Sequence, residues 1–139
     1  MGAAESLDFR IPSDVQYIEA VVVQVVRRCE ALDFSRRHTA LNVPVALTEA
    51  MSNAIQRGNR DDASRDVVVR VAIDETRLDA EVRDEGDGFD LEACTVDATS
   101  DDNLHREDGR GLFLMRKLMD RVERFHDGGN VVRLVLHRV

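Results

Sequence analysis

Two polar side chains in residues 46–61, ALTEAMSNAIQRGNRD, have types and a spacing that could do chemistry. If this stretch is a helix, Glu49 and Asn53 are four residues apart and therefore neighbours on its surface, with Arg57 on the same side. The other side is apolar, so one face can pack while the polar face presents a carboxylate beside an amide. A solvated surface is the alternative interpretation of the polar face. The apolar side consists of Leu47, Met51, Ala54, Ile55 and Gly58.

A third polar candidate is Asp84, the first residue of the segment DEGDGFD at 84–90. The preceding strand has apolar residues at positions 78, 80 and 82, so a continuing strand would point Asp84 to its apolar side. A carboxylate in that place needs a partner, because an unpaired buried charge is costly. Gly86 and Gly88 permit close backbone approaches, although an ordinary glycine turn has the same composition. Asn130 has the parity of the apolar face of the last strand and is expected near the same pocket.

Glycines also open a predicted helix late in the chain, where Gly109, Arg110 and Gly111 precede an apolar pattern from Leu112 to about Asp120. The first N–H groups of a helix have no partner within it, and such a helix start suits a phosphate. This signal is weak by itself.

Two metal-binding alternatives fail on spacing. In a calcium loop that begins at Asp84, glycine would stand at the fifth position instead of the sixth, and the twelfth residue is Thr95 instead of glutamate. Cys29 and Cys94 are far apart without paired spacing, so neither a zinc site nor a disulfide framework is indicated. Cys29 lies on an apolar helix stripe and is predicted to be a core residue.

Composition describes one soluble domain, residues 1–139, with 43% apolar and 33% charged residues and a net charge of −8. This acidity argues against direct nucleic-acid binding, which needs a cationic surface, but it leaves binding to a basic protein surface open. No apolar run is long enough to span a bilayer, and the first residues do not form a secretion signal. The sequence therefore predicts no membrane association and a cytoplasmic protein.

The first third of the chain has the pattern of a strand followed by two helices. Leu7, Phe9 and Ile11 alternate with polar residues, and Ser13 or Asp14 can cap the next helix. Asn42 is predicted to cap the second helix, with Pro44 in its first turn and its end near Asn59. The apolar stripe of the first helix comprises Val15, Ile18, Val22, Val25, Cys29 and Leu32, and Val21, Val23 and Val26 widen it, either as core or toward a partner.

The rest of the chain predicts two hairpins separated by a long polar segment and a helix. Strands over about 67–73 and 78–82 are joined by a tight turn at 74–77, and strands at 122–126 and 131–137 close the chain. Short connections make the sheet mostly antiparallel, and its single apolar face must be covered by helices. The predicted fold is α+β, a two-layer α/β sandwich with a mostly antiparallel mixed sheet and about three helices on one face.

Neither common nucleotide fingerprint is present, since the chain has no GxxxxGK[ST] and no GxGxxG in a strand–helix unit. Three other motifs occur in order: E-x-x-x-N in LTEAMSNAIQRGN, D-x-G-x-G in RDEGDGFD, and G-x-G-L in DGRGLFLMRKLMD. This series resembles the ATPase (Bergerat) fold shared by histidine kinases, gyrase, mismatch-repair proteins and heat-shock chaperones. More closely, the chain looks like the bacterial anti-sigma-factor serine kinases, and the resemblance covers nearly the whole chain, including its compact length.

The resemblance implies an ATP- or ADP-binding site with Mg²⁺. In it, Asn53 would coordinate Mg²⁺, Glu49 would act as the general base or orient the attacking hydroxyl, and Asp84 would receive the adenine amino group. It also implies that residues 91–109 form a lid over the phosphates. The remaining nucleotide-binding residues implied are Arg57, Gly86, Gly88, Gly109, Arg110, Gly111, Leu112 and Asn130.

The chain departs from the family pattern in three places. Arg57 stands where many relatives have histidine, and Asn130 where the family usually has threonine. In the lid, Arg106 and Arg110 are both candidates for the arginine that reaches the terminal phosphate. The lid is otherwise acidic and is not an obvious phosphate grip.

Three functions follow from these observations. The first is a serine/threonine-protein kinase that binds a sigma factor, phosphorylates an anti-anti-sigma protein of the STAS type and forms a homodimer, as the resemblance implies. The second is a protein-binding module that uses ATP or ADP as a conformational ligand without transfer. The third, a histidine kinase catalytic domain, ranks last because no helical hairpin with a phospho-acceptor histidine precedes the motifs.

Overall fold

The structure, a computed structural model, describes residues 5–86 and 107–139, with the side chains of residues 107–110 outside that description. Five strands and three α-helices lie in these residues. The strands are β1 (Glu5–Pro12), β2 (Asp66–Ile73), β3 (Arg77–Arg83), β4 (Arg121–His126) and β5 (Asn130–His137). The helices are α1 (Ile18–Ala31), α2 (Val43–Asn53) and α3 (Glu107–Leu118).

One sheet in the order β1-β2-β3-β5-β4 forms the first layer, and all four strand pairs are antiparallel. The three helices supply buried apolar residues to a single core against one face of this sheet. The predicted two-layer α+β fold is therefore confirmed, although the described sheet contains no parallel pair and is not mixed.

The predicted hairpin of β2 and β3 is confirmed in its turn and its alternation. Asp74 Oδ1 accepts hydrogen bonds from Thr76 N at 2.7 Å and Arg77 N at 3.0 Å, which closes the turn. The inward positions are all buried, while their neighbours along each strand are more exposed. These inward residues are Val67, Val69, Val71 and Ile73 on β2 and Leu78, Ala80 and Val82 on β3.

The start of α1 corrects one residue of the predicted apolar stripe. Asp14 caps this region by accepting a hydrogen bond from Gln16 N at 3.0 Å, as predicted. Val15, however, lies in a short 3₁₀ turn, Val15–Tyr17, and its side chain is 49% exposed. The tighter winding of a 3₁₀ turn breaks the 3.6-residue periodicity on which the stripe was predicted. Val23 is also exposed, whereas the other helical members of the stripe are buried or half-buried: Ile18, Val21, Val22, Val25, Val26 and Cys29.

The predicted cap at Asn42 is wrong because the helical backbone begins earlier. A π-helical turn, His38–Asn42, precedes α2, and Asn42 itself has helical dihedral angles. Ser35 Oγ accepts from the N–H of His38 at 3.1 Å and serves this end of the helix. The buried amide of Asn42 donates instead to the carbonyl oxygen of Leu118 at 2.7 Å. Asn42 therefore satisfies an unpaired carbonyl at the end of α3.

The third helix begins five residues before the predicted start at Leu112. Its backbone is helical from Glu107, so Gly109 lies in the first turn and Gly111 in the second. Most of the predicted lid, residues 91–106 with Cys94 and Arg106, lies outside the described residues, and so does Gly88. No helix in the described ranges is long and apolar enough to cross a membrane.

Candidate functional site

Asp84 lies at the end of β3 and faces the helical layer, as strand parity predicts. Its side chain is only 4% exposed. Its Oδ1 accepts hydrogen bonds from Gly86 N at 2.8 Å, Asn130 N at 3.0 Å and Asn130 Nδ2 at 3.3 Å. These three N–H donors compensate the buried carboxylate and fix its orientation.

Asn130 reaches Asp84 because β5 lies beside β3 in the sheet. The register pairs Arg83 with Val131, and the N–H of Asp84 donates to the carbonyl oxygen of Asn130 at 3.0 Å. Main chain and side chain of Asn130 thus both contact Asp84, and the predicted proximity of these two residues is confirmed. The contact joins residues 46 positions apart in the chain.

The second carboxylate oxygen of Asp84 lies against Gly58, at the end of the π-helical turn Ala54–Gly58 that continues α2. A Cβ atom built on Gly58 would overlap Asp84 Oδ2, and one built on Gly86 would overlap the carbonyl oxygen of Gly58. Only a residue without a side chain permits the approach at Gly58. The helix end therefore forms one wall of the Asp84 pocket.

Glu49 and Asn53 meet α3 further back along the same helix, in the second half of α2. Both side chains are half-buried, on the face opposite the fully buried Met51 and Ile55. A Cβ atom built on Gly111 would lie 2.7 Å from Glu49 Oε2 and 3.4 Å from Asn53 Nδ2. The carboxylate and the amide are therefore neighbours beneath the backbone of α3, in a space that a side chain at position 111 would fill.

One continuous helix connects the two groups of polar residues. With a rise of 1.5 Å per residue, the nine residues from Glu49 to Gly58 span roughly 13 Å. The Asp84 pocket and the Glu49–Asn53–Gly111 cluster thus lie at opposite ends of an elongated site, which suits a ligand with a planar polar group at one end and an anionic group that carries a metal cation at the other.

The structure places the other predicted site residues as follows. Arg57 is exposed on the turn that follows Asn53. Leu112 is half-buried and packs against the core, so its side chain supports α3. Gly109 and Arg110 belong to the backbone of α3, and Gly88 lies outside the described residues.

Sequence reasoning missed Asn59, which it treated only as the end of a helix. Asn59 has no exposed surface, and its amide contacts three other parts of the chain. The only sequence signal is its type: a polar amide that directly follows Gly58 also fits an ordinary helix end.

Oxygen donors at the Glu49 end fit a magnesium ion that is bound mainly through phosphates. No cluster of three or more His, Cys, Asp or Glu residues in 5–86 and 107–139 could hold a metal alone. Mg²⁺ commonly takes one or two protein oxygens and completes its shell with waters and substrate phosphates. The space without a side chain at Gly111, next to the amide of Asn53, is compatible with this arrangement.

Comparison with known proteins identifies the family of the chain. The family model described as "Histidine kinase-like ATPase domain" matches residues 11–136. The curated relatives include the serine-protein kinase RsbW of Bacillus subtilis, which is 26% identical over 136 residues, covering 94% of this chain and 84% of the relative. RsbW of Listeria monocytogenes is 31% identical over 93 residues, covering 63% of this chain and 59% of the relative.

A solved structure of the RsbU and RsbW domains of a Mycobacterium tuberculosis protein has the same fold, with a TM-score of 0.67 at 17% identity. The match covers 95% of this chain and 32% of the solved chain, so this chain spans about a third of that protein's length.

Proposed function

Since the chain belongs to the histidine kinase-like ATPase domain family, we propose that it is an ATP-dependent serine/threonine-protein kinase that acts as an anti-sigma factor. Its substrate is a STAS-type anti-anti-sigma protein, and phosphorylation of that antagonist regulates transcription by partner switching. The observation that carries the proposal is the meeting of Glu49, Asn53 and Gly111 beside the helix whose end at Gly58 contacts Asp84. Similarity to several proteins named serine-protein kinase RsbW supports the reaction class.

The Asp84 pocket is proposed to bind adenine. The exocyclic amino group of adenine is a donor, and Asp84 Oδ2 is the carboxylate oxygen that faces away from the three N–H groups held by Oδ1. A buried acceptor of fixed orientation discriminates strongly against a base that lacks the donor. Asn130 holds the acceptor in place and presents its own amide to the same pocket.

The Glu49 end is proposed to hold the phosphates and the reacting hydroxyl. Bound ATP with Mg²⁺ supplies the phosphoryl group and the charge neutralisation that its transfer needs. Asn53 would provide an amide oxygen to the metal, and Glu49 would orient the serine hydroxyl of the substrate and accept its proton. Gly111 leaves these two side chains room beside α3. Arg57 is exposed one turn beyond Asn53, where a phosphate could reach it.

The partners proposed are a sigma factor, the STAS-type antagonist and a second copy of the chain, all in the cytoplasm. Support for a homodimer comes from apolar side chains that remain exposed at the start and on the outer side of α1. Val15 is 49% exposed, Tyr17 42% and Val23 38%. A net charge of −8 favours protein surfaces with basic groups over nucleic acid as partners.

The proposal is tested by incubating the purified chain with labelled ATP, magnesium and candidate STAS-type proteins, followed by analysis for phosphoserine. Glu49→Ala should abolish transfer while ADP affinity stays within about threefold, because the Asp84 pocket is unchanged. Glu75→Gln, which alters an exposed carboxylate in the β2–β3 turn, is the matched control and should leave transfer unchanged.

Two other results would direct the assignment elsewhere. If the wild type binds ADP but transfers no phosphate, and Glu49→Ala leaves partner binding unchanged, the chain is a nucleotide-switched binding module. If magnesium and adenine nucleotides give no heat of association in calorimetry, the proposed function is wrong altogether.

A further inference from the structure

Asn59 follows the helix end at Gly58 and is fully buried. Its Nδ2 donates to Ser13 Oγ at 2.9 Å and to the carbonyl oxygen of Asp66 at 2.9 Å. Its Oδ1 accepts from the N–H of Glu85 at 2.7 Å. One amide therefore connects the chain after β1, the start of β2 and the segment that follows β3.

The network determines which way the amide of Asn59 faces. The hydroxyl of Ser13 donates to the carbonyl oxygen of Arg65 at 2.7 Å, so towards Asn59 it can only accept. The carbonyl of Asp66 also only accepts, and the N–H of Glu85 only donates. The NH₂ group must therefore face Ser13 and Asp66, and both of its hydrogens are used, while the oxygen must face Glu85.

The two ends of this connection differ in how firmly they are otherwise held. Ser13 and Asp66 adjoin the β1–β2 pair, whose register runs over eight residue pairs from Glu5 to Pro12. Glu85 lies beyond the last β3 pairing, that of Arg83, and its side chain reaches back to the N–H of Asp66. Asn59 thus links a well-paired part of the sheet to Glu85, whose own N–H donates to Asn59 and not to a neighbouring strand.

Glu85 stands between two groups that define the proposed adenine pocket. On one side is Asp84, whose carboxylate is proposed to bind the adenine amino group. On the other is Gly86, whose N–H donates to Asp84 Oδ1 at 2.8 Å. A shift of the Glu85 N–H would therefore move both the carboxylate and one of its three donors. Gly58, the residue before Asn59, contacts both Asp84 Oδ2 and Gly86. The backbone next to Asn59 therefore lies directly against the Asp84 pocket.

We infer that Asn59 is a positioning residue for base recognition, holding Asp84 in the orientation that selects adenine. This inference rests on the proposed nucleotide-binding function. Asn59 does not contact the nucleotide itself, and Asn53 and Glu49 lie roughly 9–15 Å away along the helix. Its loss should therefore change base selectivity and nucleotide affinity, and leave the transfer step itself largely unaltered.

The test measures ADP and inosine diphosphate affinities of the wild type and of Asn59→Ala by calorimetry, at a temperature where both are folded. Inosine carries a carbonyl oxygen in place of the amino group and would face the Asp84 carboxylate as a second acceptor. We expect the wild type to prefer ADP by roughly 100-fold or more, and Asn59→Ala to reduce this preference by about tenfold. The KM for ATP should rise by a similar factor with kcat nearly constant.

A matched control separates positioning from general loss of stability. Val25→Ala creates a cavity in the core under α1, which contributes no residue to the site, and it should lower the melting temperature without changing base preference. If Asn59→Ala is too unstable to measure, Ser13→Ala removes one of the two anchors of the amide and should reduce the preference in the same direction by a smaller factor.

The outcomes distinguish this inference from the proposed function. An Asn59→Ala protein that is folded and keeps the wild-type preference for ADP overturns the positioning role and leaves the kinase proposal intact. An equal loss of preference in Val25→Ala would also overturn it, because the effect would then be one of stability. A wild type that binds no adenine nucleotide overturns the proposed function, and this inference with it.

Discussion

Replacement of Gly111 by alanine is expected to separate stability from activity. The new Cβ atom would lie 2.7 Å from Glu49 Oε2 and 3.4 Å from Asn53 Nδ2. Carbon–oxygen contacts in proteins are normally about 3.3 Å or longer, so the carboxylate must retreat by roughly 0.6 Å. Displacements approaching 1 Å in a reacting group can cost about 100-fold in rate. We therefore expect phosphate transfer to fall by roughly 10- to 100-fold.

Stability should move the other way. Position 111 is in the second turn of α3, and alanine is favoured over glycine inside a helix by up to about 1 kcal/mol. The group that must move is the far end of a flexible, half-buried side chain, which limits the strain. The melting temperature should therefore stay constant or rise by a few degrees, since 1 kcal/mol corresponds to roughly 2–8 °C in domains of this size range.

The assay compares single-turnover transfer to the STAS-type partner, ADP affinity and thermal unfolding for Gly111→Ala and the wild type. ADP affinity should change by less than about threefold, because the Asp84 pocket is untouched. Arg116→Ala on the exposed side of α3 is the control and should retain full transfer. Undiminished transfer by a folded Gly111→Ala protein would show that the position of Glu49 does not limit the reaction.

Four further outcomes are expected. Gly58→Ala should lower stability and weaken ADP binding, the latter by at least about tenfold, because its Cβ would overlap the buried Asp84 carboxylate. Thermal unfolding measures the stability and calorimetry the ADP affinity. An unchanged ADP affinity would show that the base binds elsewhere. Cys29 is fully buried, and burial together with the nearby charge of Glu30 raises its pKa to about 12, so in a Cys94→Ser variant it should react with a thiol reagent at least about 100-fold more slowly in the folded state than in urea. The same shift makes stability fall as pH rises from about 9 toward 12, because only the unfolded chain releases the thiol proton in that range. The hydroxyl and the N–H of Thr76 hold the pKa of Asp74 below its usual value of 3.8, so Thr76→Val should raise that pKa in an NMR titration. The stabilisation of the fold by these hydrogen bonds is present above the usual pKa and is lost as pH falls through the lowered one. An unchanged titration of Asp74 would contradict the turn geometry.

Alternating strands and their tight turns were predictable because each follows from local periodicity. Asp84 is the clearest case: counting by twos from Leu78 predicted that it faces the core side, and it is buried there. The same count predicted that Asn130 approaches it, since antiparallel neighbours preserve parity across a sheet. Both predictions needed only the residue types and a period of two.

Features that depend on contacts between distant segments were not predictable in this way. Asn42 has the residue type of a helix cap, yet its amide serves the end of α3 76 residues later in the chain. Asn59 likewise has the type of a helix end, and its role depends on Ser13, Asp66 and Glu85 from three other segments. Periodicity reports which face a residue occupies; it does not report which distant atom lies across from it.

Different interactions hold the two ends of the site in place. This difference suggests how a kinase and a nucleotide-switched binder would be related. The Asp84 end is fixed by buried hydrogen bonds and by a glycine contact, so changes there are expected to affect folding and the proposed base recognition together. The Glu49 end depends on two half-buried side chains beside Gly111, so under the proposed function a single substitution there is expected to remove transfer without disturbing the fold. The proposed nucleotide binding thus depends more closely on the folded structure than the proposed transfer does. Under the proposed function, a chain with this architecture that lost Glu49 is expected still to bind the nucleotide, so the kinase and the binder would differ by the contact between α2 and α3.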